Sequence, residues 1–313
     1  MNISIRLLQE NELAAADHIF RLAFGTFVGL PEPTDFCGDA AYIHHRWKAN
    51  PSEVFAAELD GKLIGSNMAI NWGSFGYFGP LSVHPDFWNQ RVGQHLIEAA
   101  IAYFTECNTS MLGLFTFAQS PKHHILYQKF GFRLRFLTAI LAKQVQQLQP
   151  IPQVIRYSQL NENERAENLK AIYKLTNSIY EGLDLSREIQ TVQAQGLGDT
   201  VLLWDDTGLA GFAVCHYGAG SEAGSDTCLV RFGAVHSGNH AQQRFEQLLD
   251  LCEALTVAQG MSRLVASVNT SRDEAYSTML TRGFRSEMIG VAMHRPNEPG
   301  FNRPDVFVLD DWR

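Results

Sequence analysis

The chain carries one framework twice. Val83-His84 returns as Val235-His236, and Gly131-Phe132 returns as Gly283-Phe284, both 152 residues apart. Leu96-Ile97 lines up with Leu248-Leu249 at the same separation. A constant separation over about 50 residues means that each copy keeps its internal spacing, which predicts two copies of one supersecondary unit. The copies differ where side chains carry chemistry. Gly93 of the first corresponds to Phe245 of the second, and Tyr127 corresponds to Met279.

A length of 313 residues suits two domains of about 150 residues, each long enough for its own core. The net charge of −8 argues against nucleic acid as a partner, because phosphate binding needs a surplus of Lys and Arg. Cys37, Cys107, Cys215, Cys228 and Cys252 are odd in number and contain no CxxC pair, so neither a disulfide framework nor a zinc site is indicated. No signal pattern occupies residues 1–17, and no apolar run approaches the ~18 residues a membrane crossing needs. The expected location is the cytoplasm, away from membranes.

Periodicity predicts a strand at 3–7, a helix at 12–24 and an irregular, aromatic-rich segment at 25–52. Strands follow at 54–59, 63–72 and 77–83, then a helix at 91–105, a strand at 111–117, a short helix from Ser120-Pro121 and a strand at 132–142. After a Gln- and Pro-rich stretch the order repeats, ending on a strand at 305–309. Three regions result: a domain at 1–143, a linker at 144–153 and a second domain at 154–313. The fold class is α/β (α+β), with each domain a mixed, mostly antiparallel sheet flanked by helices.

Two stretches of the first copy can carry chemistry. A strand ends at His84-Pro85, a short loop follows, and a helix begins near Arg91. Free N–H groups and the helix dipole at such a junction suit a phosphate, and Gly93 lets a ligand approach the backbone. An ordinary strand-to-helix turn explains the same residues. Tyr127 lies in a short helix where it could donate a proton, or serve as core. The neighbours His123 and His124 point about 100° apart on a helix and are not a metal motif, so no metal is expected.

Together these stretches, over residues 78–104 and 120–132, resemble the GNAT superfamily of acetyl-CoA-dependent N-acetyltransferases. Leu126-Tyr127-Gln128-Lys129-Phe130-Gly131-Phe132 carries the likeness most closely. The family loop, usually Arg/Gln-x-x-Gly-x-Gly/Ala, reads Trp88-Asn89-Gln90-Arg91-Val92-Gly93 here, so Trp88 and Arg91 depart from it. The resemblance implies acetyl-CoA as cosubstrate. It implies that Leu81, Ser82 and Val83 pair with the pantetheine arm like an added strand. Asn89, Gln90, Arg91, Val92, Gly93, Gln94 and His95 would cradle the pyrophosphate, with Ser120 also on the cofactor side. Tyr127 would protonate the departing thiolate. The base is open: His84 is the nearest titratable residue, and Asp35, Asp39, His44 and His45 are others. Phe27, Phe36, Tyr42 and Trp47 occupy the place of the acceptor pocket, where they would line a site for an apolar or aromatic amine or cover a sheet edge.

The second copy resembles the same family over residues 199–294, yet a Phe replaces the loop glycine and a Met replaces the tyrosine. It is expected to be structural, to dimerise, or to wall the acceptor site. The expected activity is acetyl transfer to a small-molecule or peptide amine in the first domain, with a homodimer as an expected assembly. A non-catalytic acyl-CoA sensor and a transferase of longer acyl groups are the alternatives.

Overall fold

The computed structural model describes residues 3–146 and 154–313. The first copy runs β1 (Ser4–Leu7), α1 (Leu13–Val28), α2 (Ile43–Ala49), β2 (Val54–Leu59), β3 (Lys62–Trp72), β4 (Phe75–Phe78), β5 (Ser82–Val83), α3 (Val92–Glu106), β6 (Met111–Phe117), α4 (Pro121–Gln128) and β7 (Arg133–Gln144). The second runs β8 (Ile155–Arg156), α5 (Glu162–Ile179), α6 (Ser186–Gln195), β9 (Gly198–Asp205), β10 (Gly208–Gly218), β11 (Gly224–Val235), α7 (Ala241–Ala258), β12 (Arg263–Asn269), α8 (Asp273–Thr281), β13 (Arg285–Arg295) and β14 (Val308–Asp310).

Local chemistry sets several of these limits. Gly29 ends α1 in the left-handed conformation at φ 76°. Ser120 caps α4 and Pro121 occupies its first turn. Asn161 and Glu164 form a capping box on α5. The segment read as irregular at 25–52 contains α2, and α6 was not anticipated.

The two expected sheets are one. Its strands run β1-β2-β3-β4-β6-β13-β7-β12-β11-β10-β9-β8. Each copy therefore gives the strand after its short helix, β7 or β13, to the other. β13 pairs with β6 of the first copy, and β7 pairs with β12 of the second. The exchanged strands also pair with each other, antiparallel. The mixed, mostly antiparallel sheet expected of each copy is present, and the exchange joins the two edge to edge. Of the expected linker, Gln144 belongs to β7 and the Val145 N–H donates to Ser262 O at 2.8 Å; residues 147–153 lie outside the described residues.

The halves also share buried side chains. One core cluster joins Trp72, Phe75 and Tyr77 to Ile172, Leu175 and Phe232. Arg46 of α2 reaches the loop between β10 and β11, donating to both carboxylate oxygens of Glu222 at 2.7 and 2.8 Å. Helix α3 covers the first copy's part of the sheet with Leu96, Ile97, Ala100 and Phe104, all fully buried. Among the described residues no helix is long and apolar enough to cross a membrane.

Candidate active site

A split in the sheet makes the site. β4 runs parallel to β6 through the pairs Phe75↔Met111, Gly76↔Leu112 and Tyr77↔Gly113, and the ladder stops there. Gly79 then takes φ +150°, and Pro80 has no N–H to offer a neighbour. The chain rejoins β3 on the far side, where Ser82 and Val83 face Ser66 and Gly65. A cavity of about 980 Å³ opens between the diverging strands and extends over α1, α3 and α4.

At one end lies the start of α3. The N–H groups of Asn89, Gln90, Arg91, Val92 and Gly93 make no hydrogen bond to any described residue. They form a row of unpaired donors at a helix N-terminus, the arrangement that binds phosphate. Arg91 caps the helix in the left-handed conformation, φ 64° and ψ 7°. Glycine adopts that conformation freely, whereas an arginine pays about 1–2 kcal/mol for it. Arg91 takes a glycine-like backbone shape here and adds a charge beside the free donors. A Cβ on Gly93 would sit 3.5 Å from Leu81 Cδ2, an ordinary contact. Nothing inside the protein requires glycine there. Its missing side chain leaves room on the cavity side only.

Tyr127 is buried against Phe78, ring centroids 6.0 Å apart, and lines the cavity. Its hydroxyl has no hydrogen-bond partner among the described residues. Burial alone holds the phenol well above its usual range, so it keeps its proton.

The other end is aromatic. Phe20, Phe24, Phe36 and Tyr42 form a cluster with centroids 5.2–5.6 Å apart. Phe27 packs on Phe117 at 4.8 Å and on His123 at 4.7 Å. Burial pushes His123 down to about 4, aided by Lys122 and His124, so its ring is neutral at pH 7. The wall is completed from the second copy by Met288 of β13 and by Trp312 and Arg313 beyond β14.

The cavity thus gathers Tyr127, Leu81, Val83, Asn89, Arg91, Val92, Gly93 and Gln94 with Phe27, Phe36 and Tyr42. Other expected residues lie elsewhere. His84 accepts from the Asp86 N–H and caps the turn at 85–87. Ser82 is buried under the strands, and Ser120 serves as the α4 cap. Gln90 bonds Asp86 O, and His95 points to Glu98. Trp47 donates to Leu8 O and packs in the core. The Val83 carbonyl is already taken by Trp88 Nε1 at 2.7 Å, which removes one of the main-chain groups expected to face a ligand. His124 bonds the Phe117 carbonyl, away from His123. Reasoning from sequence missed Cys37, Thr116, His123, Trp312 and Arg313. Only His123, beside the recognised Tyr127 helix, carried a local signal.

The second copy shows what fills the equivalent split. β14 pairs with Phe232, Gly233 and Ala234 of β11. These stand 152 residues after Pro80, Leu81 and Ser82. The chain's own tail is therefore the added strand in the second copy. Phe245, the counterpart of Gly93, packs on Phe307 at 5.3 Å and is fully buried. Met279, the counterpart of Tyr127, is also fully buried.

The mixed sheet split beside α3 and α4 is the arrangement of the GNAT fold. Residues 16–132 match the profile of the Acetyltransferase (GNAT) family. That match covers the first copy, and across both copies the chain has the fold of tandem GNAT proteins. No curated protein sequence matches it. A proposed acetyltransferase of Pyrococcus horikoshii superposes with a TM-score of 0.70 at 12% identity, over 99% of this chain and 95% of that one. A GCN5-related N-acetyltransferase of Sphaerobacter thermophilus gives 0.62 at 14% identity, over 94% and 95%. A tandem GNAT protein from the clavulanic acid biosynthesis pathway gives 0.57 at 12% identity, over 94% and 98%. At these identities the likeness is one of fold.

Proposed function

We propose that the chain is an acetyl-CoA-dependent N-acetyltransferase acting on a small-molecule or peptide amine, with its working site in the first copy. One observation carries this reading: the same split in the sheet is open beside Tyr127 in the first copy and filled by β14 in the second.

The residues present suit acetyl-CoA. The unpaired N–H groups of residues 89–93 and the Arg91 charge would hold the pyrophosphate. The residues equivalent to those that β14 pairs with would receive the pantetheine arm as an added strand. When bound, acetyl-CoA supplies a thioester carbonyl as electrophile and a thiolate as leaving group. An amine seated at the aromatic end forms the new N–C bond as the C–S bond breaks. His123, neutral and lining that end, takes the proton lost by nitrogen, and Tyr127 gives its proton to sulfur. The hydroxyl carries its proton at neutral pH and has no other partner among the described residues, so it is free to turn to the sulfur.

Calorimetric titration of acetyl-CoA into the wild type and into Gly93→Phe tests the site. The expected result is one site per chain in the wild type and none in the variant. Equal binding in both removes the loop assignment, and two sites per chain removes the silence of the second copy.

The aromatic volume also favours a second reading, transfer of a longer acyl group. A series of acyl-CoA chain lengths decides it: kcat/KM highest for acetyl supports the first reading, and a maximum at a longer chain supports the second.

A further inference from the structure

We propose that the acceptor is an amine borne directly on an aromatic ring, uncharged at neutral pH, and that the cavity refuses an alkylammonium ion of the same size. This deepens the acetyltransferase reading above and rests on it.

The charge lining the cavity is of one sign. Arg91, Lys122, Lys129 and Arg313 contribute to its wall, and among the described residues no Asp or Glu does. The carboxylates nearest the aromatic end already have arginine partners. Asp311 accepts from Arg313 Nε at 3.0 and 2.9 Å. Glu222 accepts from Arg46, and Asp17 accepts from Arg21 Nε at 2.7 Å. The remaining ionisable groups on the wall are uncharged at pH 7. Burial pushes the Cys37 thiol up to about 11, raises Tyr42 and Tyr127 further, and lowers His123.

An ammonium entering this end loses its water and meets no counter-charge. That loss costs several kcal/mol. The faces of Phe20, Phe24 and Phe27 return part of that by cation–π attraction, and the Arg313–Asp311 pair offers no free counter-charge. An alkylamine must therefore shed its proton before it binds, at about 1.4 kcal/mol for each pH unit below its pKa. A ring-borne amine has no such cost, because its lone pair is shared with the ring. Its flat face also suits the offset and edge-on packing of these phenyl groups. Acetylation of such an amine needs only a weak base to take the proton that leaves nitrogen, which matches a buried, neutral His123.

Two isomers differing only in where the nitrogen sits test the idea. p-Toluidine is uncharged at pH 7, whereas benzylamine is an ammonium ion. Their binding to the CoA-loaded protein is measured by calorimetry from pH 6.5 to 9, and their acetylation by thiol release. The expected result at pH 7 is at least tenfold tighter binding of p-toluidine. Its affinity should be flat with pH, while that of benzylamine should rise about tenfold per unit. Benzylamine binding as well as p-toluidine at pH 7, with no pH dependence, overturns the proposal. So does binding of neither isomer. Acetyl-CoA affinity, titrated separately, shows whether the underlying acetyltransferase reading fails instead.

Discussion

Thr138 of β7 faces Gly290 of β13, its own counterpart 152 residues later. An approximate twofold relation therefore passes between the exchanged strands. Ala139 faces Val268 on one side just as Val291 faces Thr116 on the other. The symmetry is broken at Gly290 by Phe115: a Cβ there would fall 2.1 Å from the ring and 2.8 Å from the Thr116 carbonyl. Both residues line the cavity. Gly290→Ala should cost about 1–3 kcal/mol and lower kcat/KM together, read by urea unfolding and by thiol release. Unchanged stability would mean the junction accommodates the methyl group.

Gly93→Ala should separate folding from binding. The added methyl meets only ordinary contacts within the protein, and a helical alanine gains up to about 1 kcal/mol over glycine. A higher Tm with acetyl-CoA binding weakened at least tenfold is expected. A higher Tm with unchanged binding would show that no ligand approaches this point.

Tyr127→Phe and His123→Phe test the proton path. Each should lower kcat by about 10²–10⁴-fold while leaving acetyl-CoA affinity near the wild-type value. Full turnover in either variant removes that residue from the chemistry.

Arg46 ties α2 to Glu222 and also donates to Gly79 O at 2.7 Å, at the split itself. Arg46→Met takes from the buried Glu222 both of its close guanidinium hydrogen bonds, leaving it only Arg231 at 3.7 Å, and should cost about 3 kcal/mol. Adding Glu222→Gln should recover part of that loss, as a double-mutant cycle in urea would show.

His216 is buried, and neither ring nitrogen has a hydrogen-bond partner among the described residues. Burial lowers it to about 4. An unfolded histidine titrates near 6.5, so between these values the unfolded chain binds more protons, and stability falls as pH falls. His216 alone should account for up to about 3 kcal/mol of loss from pH 7 to pH 4. His216→Phe should flatten urea stability over that range; an unchanged slope would place the acid sensitivity elsewhere.

Most elements were legible because each holds its own periodicity. Met111–Phe117 reads as a buried strand in the sequence and is one. α6 escaped because its buried side is thin, with only Ile189 and Val192. Strand exchange left no trace, since β7 and β13 carry the same kind of buried pattern and either would fit either edge. The loop around Gly93 and the helix holding Tyr127 were visible as local patterns. Trp312 and Arg313 were not, because a tail reaches the cavity only after β14 has crossed the other copy. The left-handed backbone at Arg91 was hidden, because an arginine gives no sign of a positive φ.

The exchange of β7 and β13 binds the fate of the two halves. Neither can melt without withdrawing a central strand from the other, so heat or denaturant should find one transition rather than two. A substitution that loosens one copy is then felt as lost stability in the other. On the reading proposed above, a change deep in the second copy reaches the site of the first through a strand and not through a ligand.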